Sequence, residues 1–255
     1  MTNQQENTSS WQTESLRFTG FSPPNTRFDP SAWWLNLVGS PPETETSRPK
    51  AGFHKQEGFL EGKVLTLQVK PDRIDWIFSP IVGPPEEPIE TLPTLGSFED
   101  VAKTFVELMF RWLDVSPIIN RLAFGAVLVK PVADRKAGYI EIAKYLPALT
   151  LDADGSSDFF YQINRPRNSS SGISGLRINR LTKWSVILFQ GFGVSFGKTE
   201  IQTVGYGSPA SACRVEMDIN TSPDFSSELP REKLPALLQE LTDLSRELAL
   251  KGDVP

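Results

Sequence analysis

Histidine and cysteine are nearly missing from this chain: His54 and Cys213 are the only ones among 255 residues. That scarcity excludes most familiar reactive centres. A zinc site closed by side chains draws three or four ligands, usually from Cys and His. A serine or cysteine nucleophile paired with imidazole would have to recruit His54. Cys213 has no second cysteine, so no disulfide forms within the chain. Long apolar runs are missing too. The longest are short, as in Ile118–Ile119, Ala126–Val129 and Val186–Phe189, against the roughly 20 residues of a membrane helix. Met1–Ser10 is polar, with neither the basic nor the apolar stretch of an export signal. With the free thiol, this predicts a cytoplasmic chain.

What is present suits a globular protein. Hydrophobic residues make up 39% and charged residues 22%, in the ordinary range for a chain that buries a core. The net charge of −5 argues against a chain that is basic overall and coats nucleic acid. The charge is unevenly spread, however. Phe159–Thr199 carries six bases and no acid, whereas Arg214–Pro255 carries nine acids against five bases. Either two oppositely charged surfaces balance within one fold, or the basic stretch faces an anionic partner.

Residues 1–30 are polar with scattered aromatics and read as a flexible tail. Trp33–Val38 reads as a first buried strand. A hairpin follows: Leu65, Leu67 and Val69 share one face at period two, Lys70-Pro71-Asp72 turns, and Ile74, Trp76 and Phe78 share a face on the second arm. Residues 79–96 hold five prolines and form an exposed, semi-rigid connection. Ser97 opens a helix, with Asp100 three residues on in the manner of a capping box. Val101, Phe105, Leu108, Met109 and Trp112 form its apolar stripe, and Pro117 ends it. A strand over 120–130, a short helix over 139–146 and strands over 159–164, 176–190 and 212–219 come next. Pro230–Leu250 is the last helix, with a leucine stripe from Leu234 to Leu248 and Gly252 placed for a C-terminal cap.

Short turns between strands and few helices favour an α+β fold, a mainly antiparallel sheet with the closing helix packed on it. Ile119-Asn120-Arg121-Leu122 echoes Ile178-Asn179-Arg180-Leu181. Each of the stretches 31–150 and 151–255 also runs from strands into one long amphipathic helix. Both features hint at two related halves that form one compact unit.

Three segments, Asp72-Arg73-Ile74-Asp75-Trp76, the helix around Phe105–Trp112 followed by Ile119-Asn120-Arg121-Leu122, and Met217-Asp218-Ile219-Asn220 ahead of the closing helix, carry a family likeness. The chain resembles, over about residues 30–250, a sporadically distributed bacterial family of about this length without an assigned activity. The resemblance implies an α+β fold and supplies no catalytic residues.

Candidate sites are few. Gly191–Thr199 nearly matches a phosphate-binding loop, ending Gly197-Lys198-Thr199. Its first glycine is one residue out of place, and a strand-like stretch follows where a helix is needed. Gly193-Val194-Ser195-Phe196-Gly197 is formally a nucleophile elbow, yet no histidine follows Ser195. Asp152–Asp158 has acidic spacing but lacks the closing glutamate of a calcium loop, and reads as a solvated turn. Arg165, Arg167, Arg177, Arg180 and Lys183 lie near Trp184. Guanidiniums for phosphates and an aromatic for a base are the ingredients of single-strand recognition. Parity puts Arg177 and Lys183 on one strand face and Arg180 on the other. No catalytic set, metal site or cofactor is predicted. The expected role is therefore a non-catalytic module that binds a protein partner or its own copy. The first alternative is single-stranded nucleic acid or polyanion binding through 165–183, and the second is nucleotide or phosphate binding at 191–199.

Overall fold

The structure, a computed structural model, describes residues 10–23, 26, 28–82, 92–196 and 201–254. In chain order the elements are β1 (Gln12–Phe21), α1 (Pro30–Val38), β2 (Thr44–Arg48), β3 (Phe53–Leu60), β4 (Lys63–Lys70), β5 (Arg73–Ser79), α2 (Phe98–Val115) and β6 (Arg121–Val132). They continue with α3 (Arg135–Ala143), β7 (Phe160–Asn164), β8 (Arg167–Asn168), β9 (Arg177–Phe196), β10 (Ile201–Thr221) and α4 (Leu234–Lys251). All ten strands join one antiparallel sheet in the order β2-β3-β4-β5-β1-β6-β10-β9-β7, with β8 also on β9. The sheet and its core run without a break across residue 150. Among the described residues no helix is long and apolar enough to cross a membrane.

The expected hairpin is β4 and β5, with Leu65, Leu67, Val69, Ile74, Trp76 and Phe78 all buried on one face. The two long helices also form, although α4 starts at Leu234, four residues after the expected Pro230 and behind a 3-10 turn at Arg231–Lys233. The Ser97 hydroxyl accepts from the Asp100 amide at 3.3 Å and donates to its carboxylate at 2.6 Å, which fixes the start of α2. On α4 the leucines at 234, 237, 238, 241 and 248 are buried. The short helix α3 starts four residues before the expected Tyr139, because the Asp134 carboxylate caps it through the Ala137 amide at 2.8 Å.

Two expectations are corrected. Trp33–Val38 is not a strand but most of α1. Asp29 accepts from the Ala32 amide, Pro30 supplies a fixed φ in the first turn, and Gly39 closes the helix at φ +79. Trp33, Trp34 and Leu37 then fall on one buried stripe. The tail assigned to residues 1–30 is wrong over Gln12–Phe21, since β1 lies inside the sheet between β5 and β6. Leu16 and Phe18 enter the core, whereas Arg17 and Thr19 alternate to the other face.

The core lies on the helix side. Trp112 of α2 meets Phe18 at 5.7 Å, Trp33 at 5.8 Å and Trp76 at 6.4 Å between ring centroids, and Trp34 stacks on Trp76. Gly20 makes room for it: a Cβ there would lie 3.1 Å from the indole. Trp11, Tyr145 and Trp184 form a second aromatic group. The four-residue echo lands in opposite senses. Arg121 is on the uncovered face against Phe21, whereas Arg180 is buried on the helix side.

Candidate interaction face

Helices contact one face of the sheet, and alternation sends every second side chain to the other. Reading across the strands in register, one row of that uncovered face is Glu57, Thr66, Ile77, Arg17, Gly125, Asp218 and Leu181. The neighbouring row includes Val127, Glu216 and Lys183. Charges of both signs face each other across strands. Arg214 bonds Glu14 at 2.8 Å and, along its own strand, Glu216, while Lys183 lies 3.6 Å from Glu216 and Arg17 lies 3.6 Å from Asp218. Bonding to Glu14 raises the Arg214 pKa against the opposing effect of burial. Near the end of β1 the Thr19 hydroxyl donates to Asp75 at 2.6 Å and Arg73 binds the same carboxylate with two nitrogens. Phe21 there lies between the guanidiniums of Arg73 and Arg121.

The middle of the face has a depression of about 350 Å³. Ser15, Arg17, Lys183, Glu216 and Asp218 provide its polar rim, with Ile77, Val127 and Leu181 between them. Gly125 forms its floor, where a Cβ would be 3.4 Å from Arg17 Nη2. Of these residues only Lys183 is a candidate binding residue on sequence grounds. The available signal was the period-two spacing of Glu216 and Asp218 on a strand whose other face is apolar.

The basic segment does not form one surface. Arg165 holds Asp253 with two bonds of 2.5 and 2.8 Å, Arg167 holds Glu247 at 2.8 Å, and Arg180 donates to the Val254 carbonyl at 3.2 Å. All three therefore grip the end of α4 and the residues after it. Arg177 is exposed and Lys183 belongs to the uncovered face. Trp184 is fully buried, stacks on Tyr145 and gives its indole N–H to Thr182 at 2.9 Å. Its ring presents no open face to a base.

Gly197, Lys198 and Thr199 lie outside the described residues. The backbone on either side is strand: Phe196 pairs with Ile201 and Gly193 with Val204. β9 and β10 run on as a two-stranded ribbon beyond the last pairings of β7 and β6, at Ser185 and Ser211. His54 is on β3, with five strands between it and β9, an inter-strand separation of about 29 Å. Asp152 accepts from the Asp154 and Gly155 amides, both at 3.0 Å, and these bonds lower its pKa. It makes a turn, as read. Among the described residues no group of three His, Cys, Asp or Glu side chains is arranged to hold a metal. A more apolar cleft of about 430 Å³ lies beside Trp11, Phe98, Tyr145 and Leu250. Its two cations are engaged, Lys130 with Glu141 and Arg246 with Glu99 and Asp243.

Cys213 is fully buried on β10, 3.3 Å from the Gly138 carbonyl, and burial pushes its pKa up to about 12. Below that value the sulfur keeps its proton, and thiolate is the reactive form. Native protein at pH 8 is expected to leave a thiol-exchange reagent such as Ellman's unreacted over the time in which urea-unfolded protein releases one equivalent. Equal rates in the two states would contradict the buried placement.

No family model, curated protein or solved structure matches the chain.

Proposed function

We propose that this chain is a cytoplasmic, non-catalytic interaction module that self-associates through the uncovered face of its sheet. One observation carries the reading. Among the described residues no helix lies over the face centred on Gly125, and its rim sets Arg17 and Lys183 beside Glu216 and Asp218. A two-fold axis through such a patch brings cations of one copy to carboxylates of the other, the self-complementarity that an isologous dimer needs. Dispersed, mostly paired charges fit a docking face better than a reaction centre, where perturbed groups converge. The likeness to a bacterial family without assigned activity is part of the same proposal.

Light scattering across a concentration series tests it. Wild-type protein is expected to move from monomer to dimer, and Lys183→Glu to shift the midpoint to at least tenfold higher concentration. Gly125→Ala fills the floor with only ordinary contacts, so it is expected to keep the fold and weaken the dimer. A monomer at every concentration, or a dimer indifferent to both substitutions, rejects self-association through this face.

A further inference from the structure

Among the described residues Arg180 is the one buried cation. Its side chain is 1% exposed, yet Nε and Nη1 have no hydrogen-bond partner among the described residues; only Nη2 is used, on the Val254 carbonyl. Arg165 and Arg167 lie beside it, and among the described residues the carboxylates that face this group are Glu247 and Asp253. Burial lowers the Arg180 pKa, and the neighbouring Arg167 acts in the same direction. A buried guanidinium with two unanswered N–H edges is costly unless an anion meets it. Planar, forked donors of this kind suit the oxygens of a phosphate.

The groups now filling the recess imitate such an anion. Asp253 is 2% exposed, takes both forks of Arg165 and also accepts from the Tyr161 hydroxyl at 3.2 Å. It presents oxygens to the cluster from a short stretch of chain. That stretch is secured by the Gly252 amide to Leu248 and the Asp253 amide to the Tyr145 carbonyl, both at 2.8 Å. The other donors in reach, Arg165 and Arg167, keep 28% and 34% of their side chains exposed, so the recess has a route from solvent.

We propose that Arg165, Arg167 and Arg180 form a binding site for a phosphate-sized oxyanion, which the Gly252–Val254 stretch occupies as an internal latch in this structure. Phosphate takes the Val254 carbonyl's place on Arg180, engages its free Nε and Nη1 edges and displaces Asp253 from Arg165. The end of α4 is released when the site is filled. This site is separate from the self-association face, since Arg180 points to the helix side of the sheet.

Calorimetric titration of the full chain with inorganic phosphate, at constant ionic strength set by chloride, tests the site. Wild type is expected to bind saturably. Arg180→Met removes the buried guanidinium, which makes no carboxylate hydrogen bond among the described residues, and is expected to abolish binding. Asp253→Asn removes the competing charge and is expected to tighten binding at least tenfold. Exposed Arg177→Gln is the control and should bind as wild type does. Hydrogen exchange of wild type reads the latch without a variant, with the Gly252 and Asp253 amides expected to exchange at least tenfold faster in saturating phosphate. Absence of saturable binding, or binding that survives in folded Arg180→Met, overturns the site. Unchanged exchange at these amides in saturating phosphate overturns the latch.

Discussion

Replacing Trp112 by alanine is expected to cost about 3–5 kcal/mol of stability, the range for removing a large aromatic from a packed core. The indole is fully buried and is the common neighbour of Phe18, Trp33 and Trp76, so one substitution unseats contacts to α1, β1 and β5 together. For a chain of this size such a loss lowers the melting temperature by about 10 °C or more. Urea unfolding followed by circular dichroism measures it, and the near-ultraviolet signal of the tryptophan group should weaken in the folded variant. Trp112→Phe keeps a ring in the space and is expected to recover about half of the loss. A cost below about 1 kcal/mol for alanine would mean that α2 does not pack on the sheet through this residue.

Gly252→Ala is the second large effect, at about 3 kcal/mol. Its φ of +76 and ψ of −155 lie in a region that side-chain-bearing residues scarcely enter, worth about 1–3 kcal/mol in strain. A Cβ would also sit 2.1 Å from the Tyr145 carbonyl oxygen, which is backbone and has little freedom to retreat. The Asp253 amide bonds that same carbonyl, so the substitution loosens the ion pair with Arg165 as well. Gly39→Ala separates the two contributions. Gly39 has φ +79 but nothing within 4 Å of a built Cβ, so it carries only the cost of a left-handed conformation, about 1 kcal/mol. Equal losses at the two glycines, measured by urea unfolding, would remove the steric part of the account.

The elements that could be read from the chain were those whose signals are local. The β4–β5 hairpin alternates at period two around a Pro-Asp turn. α2 and α4 carry apolar stripes at helical spacing, with Ser97 at the start of one and Gly252 at the end of the other. α1 also has local signals, which reading Trp33–Val38 as a strand passes over: Asp29-Pro30 and Gly39 mark its ends. β1 is a different case. Its partners lie about 55 and 105 residues away, as in Thr19 with Asp75 and Ala123. Half of its residues face the polar side of the sheet, so its composition resembles that of a tail. No local signal separates the two.

The same division holds for the basic segment. Parity on β9 separates Arg177 and Lys183 from Arg180 and Trp184, and the structure keeps that separation. Which carboxylates would meet each cation was beyond reach of the sequence, because Asp253 and Glu247 come from the far end of the chain.

By itself, the order of residues determined the material: one thiol, one imidazole, dispersed charges, two long amphipathic helices and strands enough for an antiparallel sheet. Folding decided which polar groups meet. It set Gly125 at the floor of an uncovered face and closed the end of α4 over Arg180. The physical reason is one of range. Helix caps and side-chain periodicity act over a few residues and are written locally, whereas ion pairs and sheet neighbours depend on packing that brings distant segments together.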